Sequence, residues 1–176
     1  MHALPPSLGI PHPKNQRGFT AIELMVVVAI VAILATLAAP SFTPLIERWR
    51  VRSATEGLTS TLYYARSEAI KRGGGIAIDA TGGWSLGWKV TSTQNGVSTD
   101  LQVSPAPNKV SMTQSNNKDM LYVDRWGMLS ETSGGAPMAV DIAIFPDGKS
   151  ATDSSAIRLC AKGGRIAQMK HGAACP

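Results

Sequence analysis

Three groups of side chains in this 176-residue sequence have types and spacing that could do chemistry: a carboxylate inside an apolar run, two cysteines near the C-terminus, and the cations around them. Glu23 is the only charged residue between Phe19 and Ala39. A carboxylate within a membrane helix costs up to ~2.5–3.5 kcal/mol at the centre, so it usually has a partner; the alternative is that it merely snorkels to the interface. Cys160 and Cys175 stand fifteen positions apart. Between Ser155 and Pro176 lie Arg158, Lys162, Arg165, Lys170 and His171, with no acid among them. Clustered cations near accessible backbone suit phosphate groups, and a solvated basic hairpin or a protein contact suits them equally. For catalysis there is little. His2 and His12 lie in the first eighteen residues, no phosphate-binding loop occurs, and Asp79, Asp124, Asp141 and Asp147 stand singly beside turns or on alternating stretches. The expectation is a chain that is not an enzyme, with no cofactor and no metal site.

The element that must position Glu23 is the run Phe19–Ala39, which contains neither proline nor glycine. As a helix it would be about 30 Å long, one hydrocarbon core, with its backbone groups satisfied internally. The run therefore reads as a single membrane span. It is preceded by a proline-bearing polar leader ending in Lys14 and Arg17-Gly18, and no small-residue cleavage site closes it, so the order is the reverse of a secretory signal peptide. Lys14 and Arg17 beside the span would keep that end cytoplasmic and send the rest across the membrane. An exported chain meets oxidising conditions, so Cys160 and Cys175 read as a disulfide, with free thiols as the alternative.

After Pro40 and Pro44, where a kink or loosened turn is expected, the helical signal resumes from Glu47. Val51, Ala54, Leu58, Leu62, Ala65 and Ala69 form one apolar stripe at helical period, ending at Gly73-Gly74-Gly75. Short runs rich in branched and aromatic residues follow: 76–78, 86–91, 101–103, 120–123, 140–145 and 157–160. Asn95-Gly96, Gly134-Gly135 and Asp147-Gly148 punctuate them, which predicts one antiparallel sheet or two small ones. Gln94–Asn117 is polar and reads as a surface loop region. Trp84, Trp88 and Trp126 are core packing or exposed stacking platforms. The organisation is then a leader, 1–18, a membrane and assembly helix, 19–46, and one globular domain, 47–176. Beyond residue 18 the chain carries 15 basic and 12 acidic groups, a net +3 that does not imply nucleic acid by itself.

Two sets of residues carry a resemblance. Gly18-Phe19-Thr20-x-Ile22-Glu23-Leu24 is similar to the N-terminal signal of type IV pilins and type II secretion pseudopilins. The resemblance implies that a prepilin peptidase cuts after Gly18 and N-methylates Phe19. It also implies that Glu23 pairs with the methylated amine of a neighbouring subunit and sets the register of assembly. Tyr64–Gly73, Trp84-x-x-Gly87-Trp88-x-Val90 and Phe145-Pro146-Asp147-Gly148 resemble the GspH/FimT branch of these proteins. That branch implies an α+β pilin-like fold, a long N-terminal helix whose first half is membrane-bound and whose amphipathic half packs on an antiparallel β domain. It implies a place in the inner membrane with the β domain in the periplasm, and other pilins or pseudopilins as partners. It also implies a role as a minor subunit that assembles into or primes a type IV pilus, or its equivalent in a type II secretion system. Some FimT-type members bind DNA during transformation through a Gly-Arg-x-Arg motif, which makes the basic tail a candidate DNA contact. Here Gly164-Arg165-Ile166-Ala167 keeps the first arginine and has alanine in place of the second.

Overall fold

The structure, a computed structural model, describes residues 18–38, 42–170 and 173–175. The chain divides into two units between Pro40 and Ser41.

The first unit holds helix α1 (Ala21–Ala38). Thr20 starts it: the Thr20 hydroxyl accepts the backbone N–H of Glu23 at 3.2 Å, which satisfies one of the donors a helix start leaves open. Every large apolar side chain from Ile22 to Leu34 is exposed in the single chain, on all sides of the helix. A helix that is apolar all round is one that other apolar matter surrounds. No helix among the described residues is long and apolar enough to cross a membrane. The 18 residues of α1 rise about 27 Å, short of the ~30 Å hydrocarbon core. The span expected over Phe19–Ala39 is thus shorter as described: Phe19 and Thr20 precede the helix, and Ala39 and the expected kink at Pro40 lie outside the described residues.

The second unit is built on helix α2 (Thr43–Arg72), which begins four residues before the helical signal in the sequence, with Pro44 in its first turn. Proline is suited there because its missing N–H would be unpaired anyway. Among the described residues nine strands follow: β1 (Ile76–Asp79), β2 (Gly87–Gln94), β3 (Val97–Pro105), β4 (Val110–Gln114), β5 (Met120–Val123), β6 (Leu129–Ser130), β7 (Val140–Pro146), β8 (Ile157–Lys162) and β9 (Arg165–Lys170). They form two antiparallel sheets, one in the order β3-β2-β1-β5-β6 and the other β4-β7-β8-β9. α2 packs on both, against β1 and β5 of the first and β4, β7 and β8 of the second.

The apolar stripe of α2 is the centre of the core, with all six of its members buried. Against it lie Ile76, Ile78, Val90 and Leu121 from the first sheet and Ile142, Ile144 and Leu159 from the second. Thr55 and Thr61 also sit in this layer, and their hydroxyls donate to the carbonyls of Val51 and Gly57 one turn back. Trp88 is buried with its indole N–H donating to Thr61 Oγ1 at 3.0 Å, and Trp84 is buried with its N–H on the Lys118 carbonyl at 2.8 Å. Those two tryptophans are packing residues. Trp126 is 74% exposed.

The loop expected over Gln94–Asn117 is instead mostly strand, containing β3 and β4. β3 is an edge strand exposed along most of its length, so its Ser98, Asp100 and Ser104 carry no burial alternation to read. Its turn was legible: Asn95 and Gly96 both have positive φ, 50° and 78°, as a two-residue hairpin requires. β4 contributes Val110 and Met112 to the core. The basic tail is likewise a paired strand and not an open loop. Gly163 and Gly164 (φ 54° and 81°) turn the chain tightly, so that Lys162 faces Arg165 across the β8–β9 hairpin.

Candidate functional sites

The N-terminal site is laid out along one helix start. Gly18 and Phe19 are exposed just ahead of α1, and Phe19 is 82% exposed. Glu23 lies in the first helical turn, where the partial positive charge of the helix end favours a carboxylate. Thr20-x-x-Glu23 has the residue types of a capping box, and the half supplied by Thr20 is present. That signal is local and was readable in the sequence.

The C-terminal site is the β8–β9 hairpin. Cys160 and Cys175 are joined, with Cα atoms 5.6 Å apart, and the tail segment 173–175 is held to β8. Cross-strand partners share a face, so Arg158, Cys160, Lys162, Arg165 and Ala167 lie on one side of the hairpin. Cys160, Lys162, Arg165 and Ala167 line a hollow of about 210 Å³ there. Lys170 lies opposite Ile157 on the other face, as Gln168 does, and Gln168 reaches Thr59 of α2 at 3.3 Å. Lys170 lines a groove with Arg48 and Arg52. The four candidate cations are therefore split, three on one face and one on the other. Arg158 is paired with Asp141 at 3.5 Å. Ala167 occupies the position, two along the strand from Arg165, where a second arginine would stand on the same face. His171 lies outside the described residues.

Arg66 was not singled out as a site residue. From α2 its guanidinium donates to the carbonyl of Gly164, 98 positions away, and pins the hairpin turn. In the same stretch Glu68 is buried and paired with Arg72 at 2.6 Å and Lys71 at 3.5 Å, and the Arg72 hydrogen bond holds its carboxyl below the usual range. The Ala-Arg-Ser-Glu-Ala stretch thus ties the end of α2 to itself and to the hairpin. Nothing in the local sequence announces the long-range half of that role.

The other two motifs are structural as well. A Cβ at Gly87 (φ 100°) would lie 2.6 Å from the Ser104 carbonyl oxygen, so only glycine lets β2 approach β3 there. Asp147 accepts from the Ser111 hydroxyl at 2.9 Å and donates its backbone N–H to Lys109, which fastens the end of β7 beside β4. Among the described residues no group of three or more His, Cys, Asp or Glu is placed to hold a metal ion.

An apolar N-terminal helix ahead of a long helix packed on two antiparallel sheets defines a pilin-type subunit. The family model of the type II transport protein GspH matches residues 54–170, well over half of the chain, and the prokaryotic N-terminal methylation motif matches residues 13–39. The chain belongs to the GspH family. It is 44% identical over 68 residues to a fimbrial protein of Pseudomonas aeruginosa, covering 39% of this chain and 44% of that one. It is 35% identical over 60 residues to the type II secretion system protein H of Xanthomonas campestris pv. campestris, covering 34% and 36%. The matches thus span less than half the length of these curated relatives. A crystal structure of the type IV minor pilin FimU of Pseudomonas aeruginosa superposes with a TM-score of 0.59 at 25% identity, over 72% of this chain and 92% of that one. A second crystal form of it gives 0.57, over 69% and 94%. The fold is the α+β pilin fold that the resemblance implied.

Proposed function

We propose that this chain is a minor pilin-type structural subunit, not an enzyme, which assembles into or primes a type IV pilus. In this reading a prepilin peptidase cuts between Gly18 and Phe19 and methylates the new terminus. Helix α1 holds the subunit in the bacterial inner membrane, completed to a full span by the residues flanking it, with the β domain in the periplasm. Extraction into a filament then exchanges lipid for the apolar helices of neighbouring pilins. Glu23 fixes the register, because a lone carboxylate among apolar helices is costly unless it meets a cation, and the methylated amine of a neighbour's Phe19 is one.

The observation that carries this reading is α1 itself: apolar on every side, exposed along its length, with its single charge in the first turn after Gly18-Phe19. The likeness to FimU favours the pilus. The relation to type II secretion protein H keeps the pseudopilus as the second reading, which changes the partners and leaves the assembly chemistry unchanged. DNA receptor activity is the weaker reading. Of the candidate cations, Lys170 lies on the face opposite the other three, and Arg158 is paired with Asp141, so this face presents few phosphate contacts. Few contacts give only a shallow salt dependence, with a slope of about −2 for two of them.

The test is Glu23→Val, expressed in place of the wild-type chain. The variant should still insert and be processed, and should fall about tenfold in sheared filaments, the scale of one lost charge pairing worth ~1.4 kcal/mol. Wild-type incorporation would remove the register role from Glu23.

A further inference from the structure

Trp126 is 74% exposed, and it lines a cleft beside the β5–β6 turn. The β5–β6 turn holds it out rigidly. Asp124 Oδ1 accepts the backbone N–H groups of Trp126 and Met128, both at 2.8 Å, and the Gly127 N–H bonds back to the Asp124 carbonyl at 2.9 Å. The exposed indole is carried on this ordered turn, outside the core cluster. It is what a stacking platform requires.

The cleft beside it has a volume of about 420 Å³, within the range of small-molecule sites. One wall is the backbone of Gly73-Gly74-Gly75 at the end of α2, and the other is the Gly134-Gly135 turn. The Gly73 and Gly74 N–H groups are bonded to the Ala69 carbonyl, the Gly135 N–H to Thr132 and the Gly75 carbonyl to the Thr93 N–H, so these glycines offer a ligand open space without side chains in the way. The floor is the outer face of the first sheet, with Tyr122 and Ser130. Arg125 and Asp124 give the lining one cation and one anion. Nearly balanced charge and the Tyr122 hydroxyl beside an aromatic face match a polyhydroxyl ring. A nucleic-acid strand would need a row of cations along the cleft, and Arg125 alone does not make one.

We propose that this cleft binds a neutral sugar, one or two rings of a glycan, with a ring face stacked on Trp126 and its hydroxyls bonded to Arg125 and Tyr122. The proposal does not depend on the mode of assembly. It can be tested on the full chain in lipid nanodiscs, which present no sugar of their own, with its tryptophans replaced by 5-fluorotryptophan. The four tryptophans, Trp49, Trp84, Trp88 and Trp126, then give separate fluorine resonances. Cellobiose and N,N′-diacetylchitobiose are the probes, with hexathymidylate as the competitor class. The Trp126 resonance should shift saturably with a Kd of about 1 mM for one of the disaccharides, and Arg125→Gln should weaken that about tenfold. In Trp126→Ala, saturation transfer to the sugar should disappear while the other three resonances stay in place and report an intact fold. A Trp126 signal unmoved by either disaccharide at about 10 mM, tenfold above that Kd, would overturn the proposal. So would sugar binding that survives Trp126→Ala, or a salt-sensitive response to hexathymidylate in place of the sugars.

Discussion

Glu68 shows how one buried side chain can make the fold sensitive to acid. It lies under the end of α2, its side chain 10% exposed, with the Arg72 guanidinium 2.6 Å away. That hydrogen bond, with Lys71 adding to it, holds its carboxyl below the ordinary value of 4.5. A depressed carboxyl stabilises the folded state fully above the unfolded value and loses that contribution as pH falls through the folded value. Asp153 behaves the same way for a different reason, since the backbone N–H of Ser155 bonds its carboxylate and Lys149 stands 3.6 Å away. Thermal unfolding should therefore be flat in pH from neutrality to about 5 and fall below that. Glu68→Gln should lower stability at neutral pH and flatten the acid limb. A variant whose acid limb matched the wild type would show that Glu68 is not among the groups responsible.

At the scale of elements, the β8–β9 hairpin is held by three separate devices: its ladder to β7, the Arg66 contact to its turn, and the Cys160–Cys175 bond that ties down the last residues. Closing a loop of fifteen residues is worth about 3 kcal/mol in the chain-entropy model. Replacing both cysteines by alanine should lower the melting temperature by about 6–12 °C for a domain of this size. Amide exchange should speed up chiefly in β9 and the tail, with the α2 core unaffected. Uniform acceleration through both sheets would mean that the bond supports the whole domain.

The same elements show which parts of the fold were legible in the sequence. The α2 stripe was, because six buried positions recur at helical period and α2 covers both sheets with that single face. β1, β5, β7 and most of β8 were, because their runs are rich in branched residues, buried alternately in β5 and β7. β3, lying at an edge and exposed along most of its length, was legible only at 101–103, and β9, whose outer face is basic, carries no run of that kind. β6 has two residues, too few for any pattern. Of the site, Gly18, Phe19 and Glu23 belong to one short motif, and the exported setting of the two cysteines suggested their bond. The facing of the cations depended on a hairpin register that residue types do not reveal, and Arg66–Gly164 depended on the whole domain being folded.

For the whole molecule, the decisive relation is between an apolar helix that its own chain leaves exposed and a folded domain that needs no help to bury its core. The second unit is complete around α2, whereas α1 has every large apolar side chain from Ile22 to Leu34 uncovered. In the proposed function such a helix is kept from water first by lipid and then by the helices of other subunits, so the two environments are successive stages for one element. In that reading the cut at Gly18 commits the chain to this course, because it creates the amine that Glu23 of the next subunit would meet. Mass spectrometry of the N-terminal peptide of the chain recovered from bacterial membranes tests this most directly. The account predicts a terminus at Phe19 bearing one added methyl group, with residues 1–18 gone. A terminus still at Met1, or one beyond Ala39 with the apolar helix removed, would contradict it.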